Sequence, residues 1–188
     1  MSGRREWESR YRERPAGGVR PPSSFLVEHL DRLPRGRGLD LASGDGRHAL
    51  YLARHGWRVD AIDCAHAGLA RLLAVARREA LRLDAVQADL ETFPLPRQRY
   101  DVVVNVRYLQ RSLFPALKAS LRRGGAVVFE TFIRDQAQLG HPRNPAFLLE
   151  RGELAARFDD FEVLEYAEGR FETETGPAFV ARLLARRP

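Results

Sequence analysis

The stretch Leu39-Asp40-Leu41-Ala42-Ser43-Gly44-Asp45-Gly46-Arg47-His48-Ala49 decides the fold. Its pattern predicts the end of a buried strand, a tight glycine turn and the first residues of a helix. Gly44 and Gly46 allow backbone dihedrals that other residues resist, and they let a ligand approach the backbone. The helix that follows directs its free N–H groups and its positive dipole end into the same space. The stretch therefore predicts either a site for a nucleotide-like ligand or an ordinary strand–helix connection.

Length and composition indicate one globular domain. The chain has 188 residues and a hydrophobic share of 44%, which is enough to bury a substantial core. No stretch approaches the ~20 apolar residues of a membrane span, and the charged N-terminus has no apolar segment of a secretion signal behind it. Cys64 is the single cysteine, so an internal disulfide framework and a cysteine-based zinc cluster are excluded. We therefore expect a cytoplasmic protein without a membrane partner.

The charge balance is basic but carries little functional information. The formal net charge is +6, and Lys118 is the only lysine among 31 basic residues. A basic surface steers anionic substrates. The basic residues form no stripe and no platform with interleaved aromatic side chains, so a nucleic-acid partner is not expected, with weak binding left as an alternative.

Segments typical of strands and helices alternate along most of the chain. The predicted strands cover residues 37–41, 57–63, 85–89, 100–105 and 126–131, and the predicted helices between them cover 47–56, 69–82 and 113–121. This alternation predicts an α/β fold with a doubly wound, mostly parallel sheet. A long loop at 134–145 and a helix at 150–158 follow. Segments 161–168 and 178–186 then predict a C-terminal antiparallel hairpin, turned around 169–177, which raises the count to seven strands.

The first twenty residues form a separate arm in this interpretation. Trp7 and Tyr11 are four residues apart, which places both rings on one face of a short helix. Two large aromatic side chains in a polar segment favour a helix that folds back onto the body. We therefore divide the chain into an arm, 1–20, and a single domain, 21–188. The arm serves either as a lid over the ligand pocket or as a packing clip.

Three predicted strands end in an acid, namely Asp40, Asp63 and Asp89. Ligands of a doubly wound sheet sit at the carboxyl ends of its strands, so the three carboxylates are expected to face one crevice. Asp63 follows Gly46 by 17 residues, close to the ~20-residue offset at which an acid holds the hydroxyls of a ribose. Any one of the three is explained equally well as a helix N-cap. Together with the glycine turn, they predict a nucleoside-binding crevice.

These motifs resemble those of class I S-adenosylmethionine-dependent methyltransferases. The run from Asp40 to Gly46 is similar to that family's first motif, with Ala42 in place of its first glycine, and Gly124-Gly125 leads into the fifth strand as in the family. The resemblance implies S-adenosyl-L-methionine as the cofactor. It implies that the cofactor contacts Tyr11, Asp40, Ala42, Ser43, Gly44, Gly46, Asp63, Cys64, Asp89, Leu90 and Asn105. Asp63 matches the acid that holds the ribose, Asp89 matches the acid on the adenine side, and Tyr11 covers the methionine part.

A narrower resemblance points to the tellurite-resistance TehB-like branch. It is carried by Trp7-Glu-Ser-Arg-Tyr11, Ala49-Leu-Tyr-Leu-Ala53, Arg111-Ser-Leu-Phe-Pro115 and the segment from Glu130 to Leu149. The branch implies methylation of a small molecule, such as a thiol or a metalloid oxyanion like tellurite or selenite. Resemblance to a branch does not fix the acceptor.

Residues facing the acceptor are expected after the fourth and fifth strands. Arg107 is either a surface residue or the group that orients an anionic substrate, and His141 is a candidate general base. Glu130 and Thr131 end the fifth strand and are expected to face the acceptor. Asn105 is followed by Val-Arg-Tyr rather than by the two prolines typical of nucleic-acid base N-methylation.

The histidines predict no metal site. They are scattered along the sequence, and His48 and His55 are expected on the surface of the helix after the glycine turn.

Two other functions stay open. Gly44-Asp-Gly46-Arg-His-Ala49 fits the dinucleotide motif G-x-G-x-x-G/A of NAD-dependent oxidoreductases, although a second mononucleotide-binding half and a substrate domain are lacking. Ala42 and the lack of a catalytic signature also leave room for a protein that binds S-adenosylmethionine without turnover.

Overall fold

The computed structural model describes residues 2–14 and 19–188. Its strands are β1 (Arg37–Leu41), β2 (Arg58–Asp63), β3 (Leu83–Gln87), β4 (Tyr100–Val106), β5 (Leu121–Phe132), β6 (Glu162–Thr173) and β7 (Gly176–Arg186). Its α-helices are α1 (Ser2–Glu13), α2 (Ser24–Glu28), α3 (Arg47–Arg54), α4 (His66–Arg78), α5 (Phe114–Ser120) and α6 (Glu153–Arg157). Short 3₁₀ helices cover Leu30–Arg32, Arg111–Leu113, Arg134–Gln138 and Pro145–Phe147. Within the described residues, no helix combines the length and the apolar character needed to cross a membrane.

The seven strands form one sheet in the order β3-β2-β1-β4-β5-β7-β6. Strands β1 to β5 are parallel, and β7 lies antiparallel between β5 and β6. The predicted doubly wound, mostly parallel sheet with a C-terminal antiparallel hairpin is therefore confirmed. The chain order reverses between the neighbouring strands β1 and β4, and a crevice opens at the carboxyl ends of strands at such a point.

Both faces of the sheet are buried. Val102 and Val104 of β4 pack with Leu50 and Trp57 on the face covered by α3 and α4, while Val103 packs on the opposite face. This arrangement explains the unbroken run of valines, because a parallel strand covered on both faces has no polar side.

Two boundaries in the C-terminal half differ from the prediction. The predicted turn at 169–177 is wrong, because β6 continues to Thr173 and the chain reverses at Glu174 and Thr175. Pairing of Gly169 with Val180 and of Phe171 with Ala178 extends the ladder through the glycine that was interpreted as turn sequence. The fifth strand also begins five residues earlier than predicted, with a register irregularity opposite Tyr100.

The N-terminal helix packs against the start of α4 and the glycine turn. The Glu8 carboxylate accepts a hydrogen bond of 3.2 Å from the N–H of Ala67, and Arg14 forms an ion pair with Asp45. The rings of Trp7 and Tyr11 stack with centroids 6.2 Å apart, so the predicted shared face exists. Tyr11 is buried, whereas 45% of Trp7 is exposed. The division into a lid and a body remains a prediction.

Candidate active site

The glycine turn connects β1 to α3 at the point where the strand order reverses. Gly44 and Gly46 have φ angles of +58° and +81°, in the left-handed region that the sequence predicts for them. A Cβ on residue 46 would lie 2.1 Å from a methyl group of Leu72, so the packing of α4 also requires glycine there. Ala42, which replaces the first glycine of the motif, also lies in the left-handed region, with φ +51°.

Tyr11 of the N-terminal helix covers the turn. A Cβ on residue 44 would lie 2.0 Å from the phenolic oxygen of Tyr11, so the ring rests directly on the glycine backbone. Burial, together with the nearby charges of Asp63 and Asp45, raises the pKa of Tyr11 to about 12. The phenol therefore stays protonated near neutral pH and presents an O–H donor beside the turn.

Asp63 links the end of β2 to the same turn. One carboxylate oxygen accepts a 2.8 Å hydrogen bond from the N–H of Gly44, and the other accepts a 2.8 Å bond from the N–H of Ala65. Burial raises the pKa of Asp63, while these two backbone bonds oppose the rise. Each carboxylate oxygen has about two acceptor positions, so both keep capacity for a further donor such as a ribose hydroxyl.

Asp40 is buried at the end of β1, beneath the turn. One oxygen accepts a 3.0 Å hydrogen bond from the N–H of Ala49, and the other lies 3.8 Å from Nδ1 of His48. Burial raises the pKa of Asp40 to about 7 and holds that of His48 well below its usual value. The predicted surface position of His48 is wrong, because its side chain is buried against the Asp40 carboxylate of β1. His55, the residue directly after the helix, is exposed as predicted.

A cleft of about 1200 Å³ opens between α1, the start of α4 and the carboxyl end of β3. Gln87 and Asp89 line one side, and residues of α1, among them Glu8, line the other. Asp89 is exposed, and its carboxylate is oriented by a 3.0 Å bond from the N–H of Glu91. Cys64 is half-buried, and burial raises the pKa of its thiol to about 11, so it is a protonated, weakly nucleophilic group.

The predicted cofactor residues Leu90 and Asn105 are both buried. Leu90 is buried in the core on the α5 side of the sheet. Asn105 is buried next to Leu41, its partner in β1, and its side-chain amide donates a 2.8 Å bond to the carbonyl of Tyr108. Asn105 therefore holds the loop that follows β4.

Arg107 and Glu130 form part of a buried charge cluster. Arg107 has a left-handed backbone with φ +63°, and its guanidinium lies 4.4 Å from the ring centroid of Phe132. Its Nη2 is 3.3 Å from Oε1 of Glu130, and only 15% of its side chain is exposed. Arg107 is therefore not the free surface residue that one of its two interpretations predicted. Glu130 is completely buried, with Nε of Arg182 2.9 Å from its other oxygen.

The remaining acceptor candidates differ in exposure. Thr131, next to Glu130, is buried in β5. His141 is exposed in the loop after β5, and its carbonyl accepts a 3.1 Å bond from the side-chain amide of Gln136. Within the part of the chain that the structure describes, no group of three or more metal-binding side chains occurs.

Sequence reasoning missed three members of the charge cluster. Arg47 and Glu174 form a buried ion pair of 2.5 Å, although 127 residues separate them. Arg182 stands inside the apolar run Val180-Ala-Arg-Leu-Leu184 of β7. A charged residue in a strand that is otherwise apolar on both faces indicates a buried partner of opposite charge. Arg182 therefore carried a sequence signal for the cluster.

A seven-stranded sheet of this order, with a glycine turn at the reversal point, defines the fold of the class I methyltransferases. Residues 39–125 match the family model described as a methyltransferase domain. Residues 39–125 thus match a methyltransferase domain, and the resemblance to class I methyltransferases that the sequence predicts is confirmed.

Two curated relatives extend the similarity, and one of them is named as a methyltransferase. The chain is 31% identical over 165 residues to a malonyl-[acyl-carrier protein] O-methyltransferase of Enterobacter lignolyticus, covering 83% of this chain and 63% of the relative. It is 29% identical over 157 residues to a protein named hemagglutinin 1 of Eikenella corrodens, covering 80% and 52%. The chain thus spans between about half and two thirds of the length of these relatives.

Among solved structures, TehB from Haemophilus influenzae superimposes with a TM-score of 0.75. The two chains are 25% identical, and the superposition covers 87% of this chain and 61% of TehB. The similarity to TehB that the sequence motifs indicate is therefore also present in the fold.

Proposed function

We propose that this chain transfers the methyl group of S-adenosyl-L-methionine to a small-molecule acceptor. The observation that carries the proposal is the hydrogen bond between the Asp63 carboxylate and the N–H of Gly44. It joins an acid suited to a ribose diol to a glycine turn suited to close ligand approach, at the point where the sheet order reverses. The methyltransferase domain match over residues 39–125 supports the same conclusion.

The polar atoms at the turn fit this cofactor. Ser43 Oγ and one oxygen of Asp40 are buried and have no hydrogen-bond partner among the described residues. Buried polar atoms normally have a partner, so both atoms indicate a ligand with hydrogen-bond donors or a charge. An ammonium group, as in the amino-acid part of the cofactor, meets that requirement. In this proposal Asp63 holds the ribose and Asp89 lies on the adenine side of the cleft.

In this reaction the protein has to position the acceptor against the cofactor and to exclude water. When bound, the cofactor supplies a methyl group already activated by a sulfonium, so alignment of the acceptor is the main requirement. Tyr11 and the N-terminal helix cover the turn from the solvent side. The proposal needs no metal ion, and it assigns no proton transfer to His141, which stays a candidate base.

A thiol or a metalloid oxyanion is the acceptor class that the similarity to TehB favours. The O-methyltransferase among the relatives adds oxygen acceptors to that range. Because the chain spans only part of each of these proteins, their substrates are hypotheses for this one.

Ligand binding tests the cofactor assignment. S-adenosylhomocysteine is expected to raise the melting temperature and to bind in calorimetry, whereas NAD is expected to do neither. No binding of S-adenosylhomocysteine at millimolar concentration refutes the proposal, and preferential binding of NAD supports the oxidoreductase alternative.

A turnover assay tests catalysis separately from binding. The protein is incubated with S-adenosylmethionine and a thiol, selenite or tellurite, and formation of S-adenosylhomocysteine is measured. Binding of the cofactor without acceptor-dependent product across this panel and a carboxylic-acid panel supports the non-catalytic alternative.

A further inference from the structure

We propose that a buried arginine cluster beside the carboxyl ends of β4 and β5 binds a carboxylate group of the methyl acceptor. The cluster consists of Arg47, Arg107, Glu130, Glu174 and Arg182. The inference rests on the proposed methyl transfer and specifies the class of acceptor as an organic acid.

The cluster brings together residues from four separate parts of the fold. Arg47 begins α3, Arg107 follows β4, and Glu130 and Arg182 face each other across the β5–β7 pairing. Glu174 comes from the tip of the β6–β7 hairpin and pairs with Arg47 at 2.5 Å. The cluster is thus assembled only when the hairpin, the sheet and α3 are in place.

Positive charge exceeds negative charge in the cluster. Three guanidinium groups face two carboxylates, and both carboxylates are already engaged. Oxygens of Glu130 lie 3.3 Å from Arg107 and 2.9 Å from Arg182. Burial lowers the pKa of Arg107, which shows the cost of holding a cation there without full solvation.

Neighbouring charges outside the cluster do not remove this excess. Asp45 is paired with Arg14. Burial lowers the pKa of Arg20, and the charges of Arg14 and Arg47 lower it further, so a fourth arginine lies near the same site. Asp40 borders Arg47 but, with its raised pKa of about 7, carries only part of a negative charge near neutral pH.

Several donors in the cluster are buried without a partner. Nη2 of Arg182 and both terminal nitrogens of Arg107 have no hydrogen-bond partner among the described residues. Only 8% of the Arg182 side chain is exposed, so water satisfies these donors poorly. Oε1 of Glu130 and Oε2 of Glu174 are likewise buried without a hydrogen-bond partner among the described residues, so the cluster lacks negative charge rather than acceptor atoms. A carboxylate accepts two parallel bonds from a guanidinium and would supply that charge.

The position of the cluster suits an acceptor rather than a structural ion. Arg47 directly follows Gly46, and Arg107 follows the strand that pairs with β1, so the cluster borders the glycine turn. Arg107 is its most exposed arginine, with 15% of the side chain exposed, and provides the point of entry. The guanidinium of Arg182 lies 4.3 Å from the ring of Phe171 and 5.8 Å from that of Phe25. These rings favour an acid with a hydrocarbon part over a bare inorganic oxyanion.

Acetate, with acetamide as the neutral analogue of similar shape, tests the site directly. Acetate at constant ionic strength is expected to raise the melting temperature and to broaden its own ¹³C signal on addition of protein, and acetamide is expected to do neither. Equal effects of the two compounds overturn the proposal. Selenite that displaces acetate and binds more tightly overturns the assignment to an organic acid.

Two arginine variants locate the binding. Arg182→Gln and Arg107→Gln are each expected to lower acetate affinity by about tenfold or more, since a charge-assisted bidentate pair is lost. Arg107→Gln, on a loop, provides the test if Arg182→Gln fails to fold by circular dichroism. Arg170→Gln, exposed on the same hairpin, is the control and should leave the affinity unchanged. Unaltered affinity in a folded Arg107→Gln protein, or an equal loss in the control, overturns the proposal.

A variant that is expected to bind acetate more tightly tests the proposal in the opposite direction. Glu174→Gln removes the carboxylate that occupies Arg47, so acetate is expected to bind several-fold more tightly. Weaker acetate binding by this variant contradicts the argument from excess positive charge.

The cofactor has a carboxylate of its own, which is the alternative ligand for the same arginines. In Arg107→Gln, the affinities for S-adenosylhomocysteine and for methylthioadenosine, which lacks the amino-acid part, are compared with wild type. The proposal expects both to be unchanged, and a selective loss for S-adenosylhomocysteine overturns it. If wild type binds acetate but not S-adenosylhomocysteine, the proposed methyl transfer fails while the anion site stands.

Discussion

The phenolic oxygen of Tyr11 fills the space that a side chain on Gly44 would need, since a Cβ there would lie 2.0 Å away. The N-terminal helix and the glycine turn are therefore fitted to each other through one ring and one missing side chain. This relationship ties the placement of the arm to the candidate cofactor site.

Gly44→Ala is expected to destabilise the protein through two separate effects. The left-handed backbone costs about 1–2 kcal/mol for a non-glycine residue, and the new methyl group displaces Tyr11. In a Tyr11→Ala background the second effect disappears, so a double-mutant cycle should give a coupling of about 1 kcal/mol. Urea unfolding measures all four proteins.

Gly56→Ala provides the matched control for this cycle. Gly56 also has a left-handed backbone, with φ +96°, but a Cβ there meets nothing within 4 Å. Its coupling with Tyr11→Ala should be zero. A zero coupling for Gly44→Ala as well would show that Tyr11 does not rest on the turn.

Asp63→Ala is expected to weaken binding of S-adenosylhomocysteine by about tenfold or more, because hydrogen bonds to a charged group contribute about 1.5–3 kcal/mol. Calorimetry measures the affinity, and circular dichroism checks that the fold is retained. Asp84→Ala is the control, since Asp84 lies exposed on β3 in an ion pair with Arg58. Unchanged affinity in Asp63→Ala would remove Asp63 from the cofactor site.

Asp40 makes the stability of the free protein depend on pH. Its pKa is raised from 3.8 to about 7 by burial, so the folded protein keeps a proton that the unfolded chain releases over that range. The folded state then binds more protons, and the unfolding free energy falls as pH rises from about 4 to about 7, by at most about 4 kcal/mol from this group.

Asp40→Asn isolates this contribution. The fall in unfolding free energy between pH 4 and pH 7, measured by urea titration at each pH, should be smaller in the variant than in wild type. Equal pH dependence in the two proteins would mean that Asp40 titrates normally in the folded state.

Ala42→Gly is expected to stabilise the protein by up to about 1 kcal/mol. Relief of the left-handed strain, about 1–2 kcal/mol, exceeds the entropy that glycine loses on folding, about 0.5–1 kcal/mol. Ala70→Gly on the exposed side of α4 is the control and should destabilise by about 1 kcal/mol. The same sign of change at both positions would contradict the assigned backbone at residue 42.

Removal of residues 1–14 is expected to weaken S-adenosylhomocysteine binding by about tenfold, since the cover over the turn is lost and the bound ligand meets water. Tyr11→Ala should reproduce part of this loss. Trp7→Ala should not, because almost half of Trp7 is exposed. Equal affinity in the truncated protein would leave the arm a packing clip rather than a lid.

Local rules accounted for the parts of the site that lie within one stretch of chain. The turn glycines, the buried valines of β4 and the acids at the strand ends follow from short-range backbone geometry and from hydrophobic periodicity. The same local rules failed at Gly169, where a long ladder with β7 overrode a turn signal. They also failed at His48, because a helical pattern does not by itself reveal how deeply the first turn is covered.

By itself, the sequence determined the class of fold and the candidate residues for the cofactor, because both depend on contiguous patterns around Gly44 and at successive strand ends. Only the tertiary structure revealed the charge cluster that we propose for the acceptor. Arg47, Glu130 and Arg182 are far apart in the chain, and their charges interact only after the β6–β7 hairpin closes against the sheet and α3. No local pattern encodes such a cluster, since the free energy of a buried charge is set by the partners that folding brings to it.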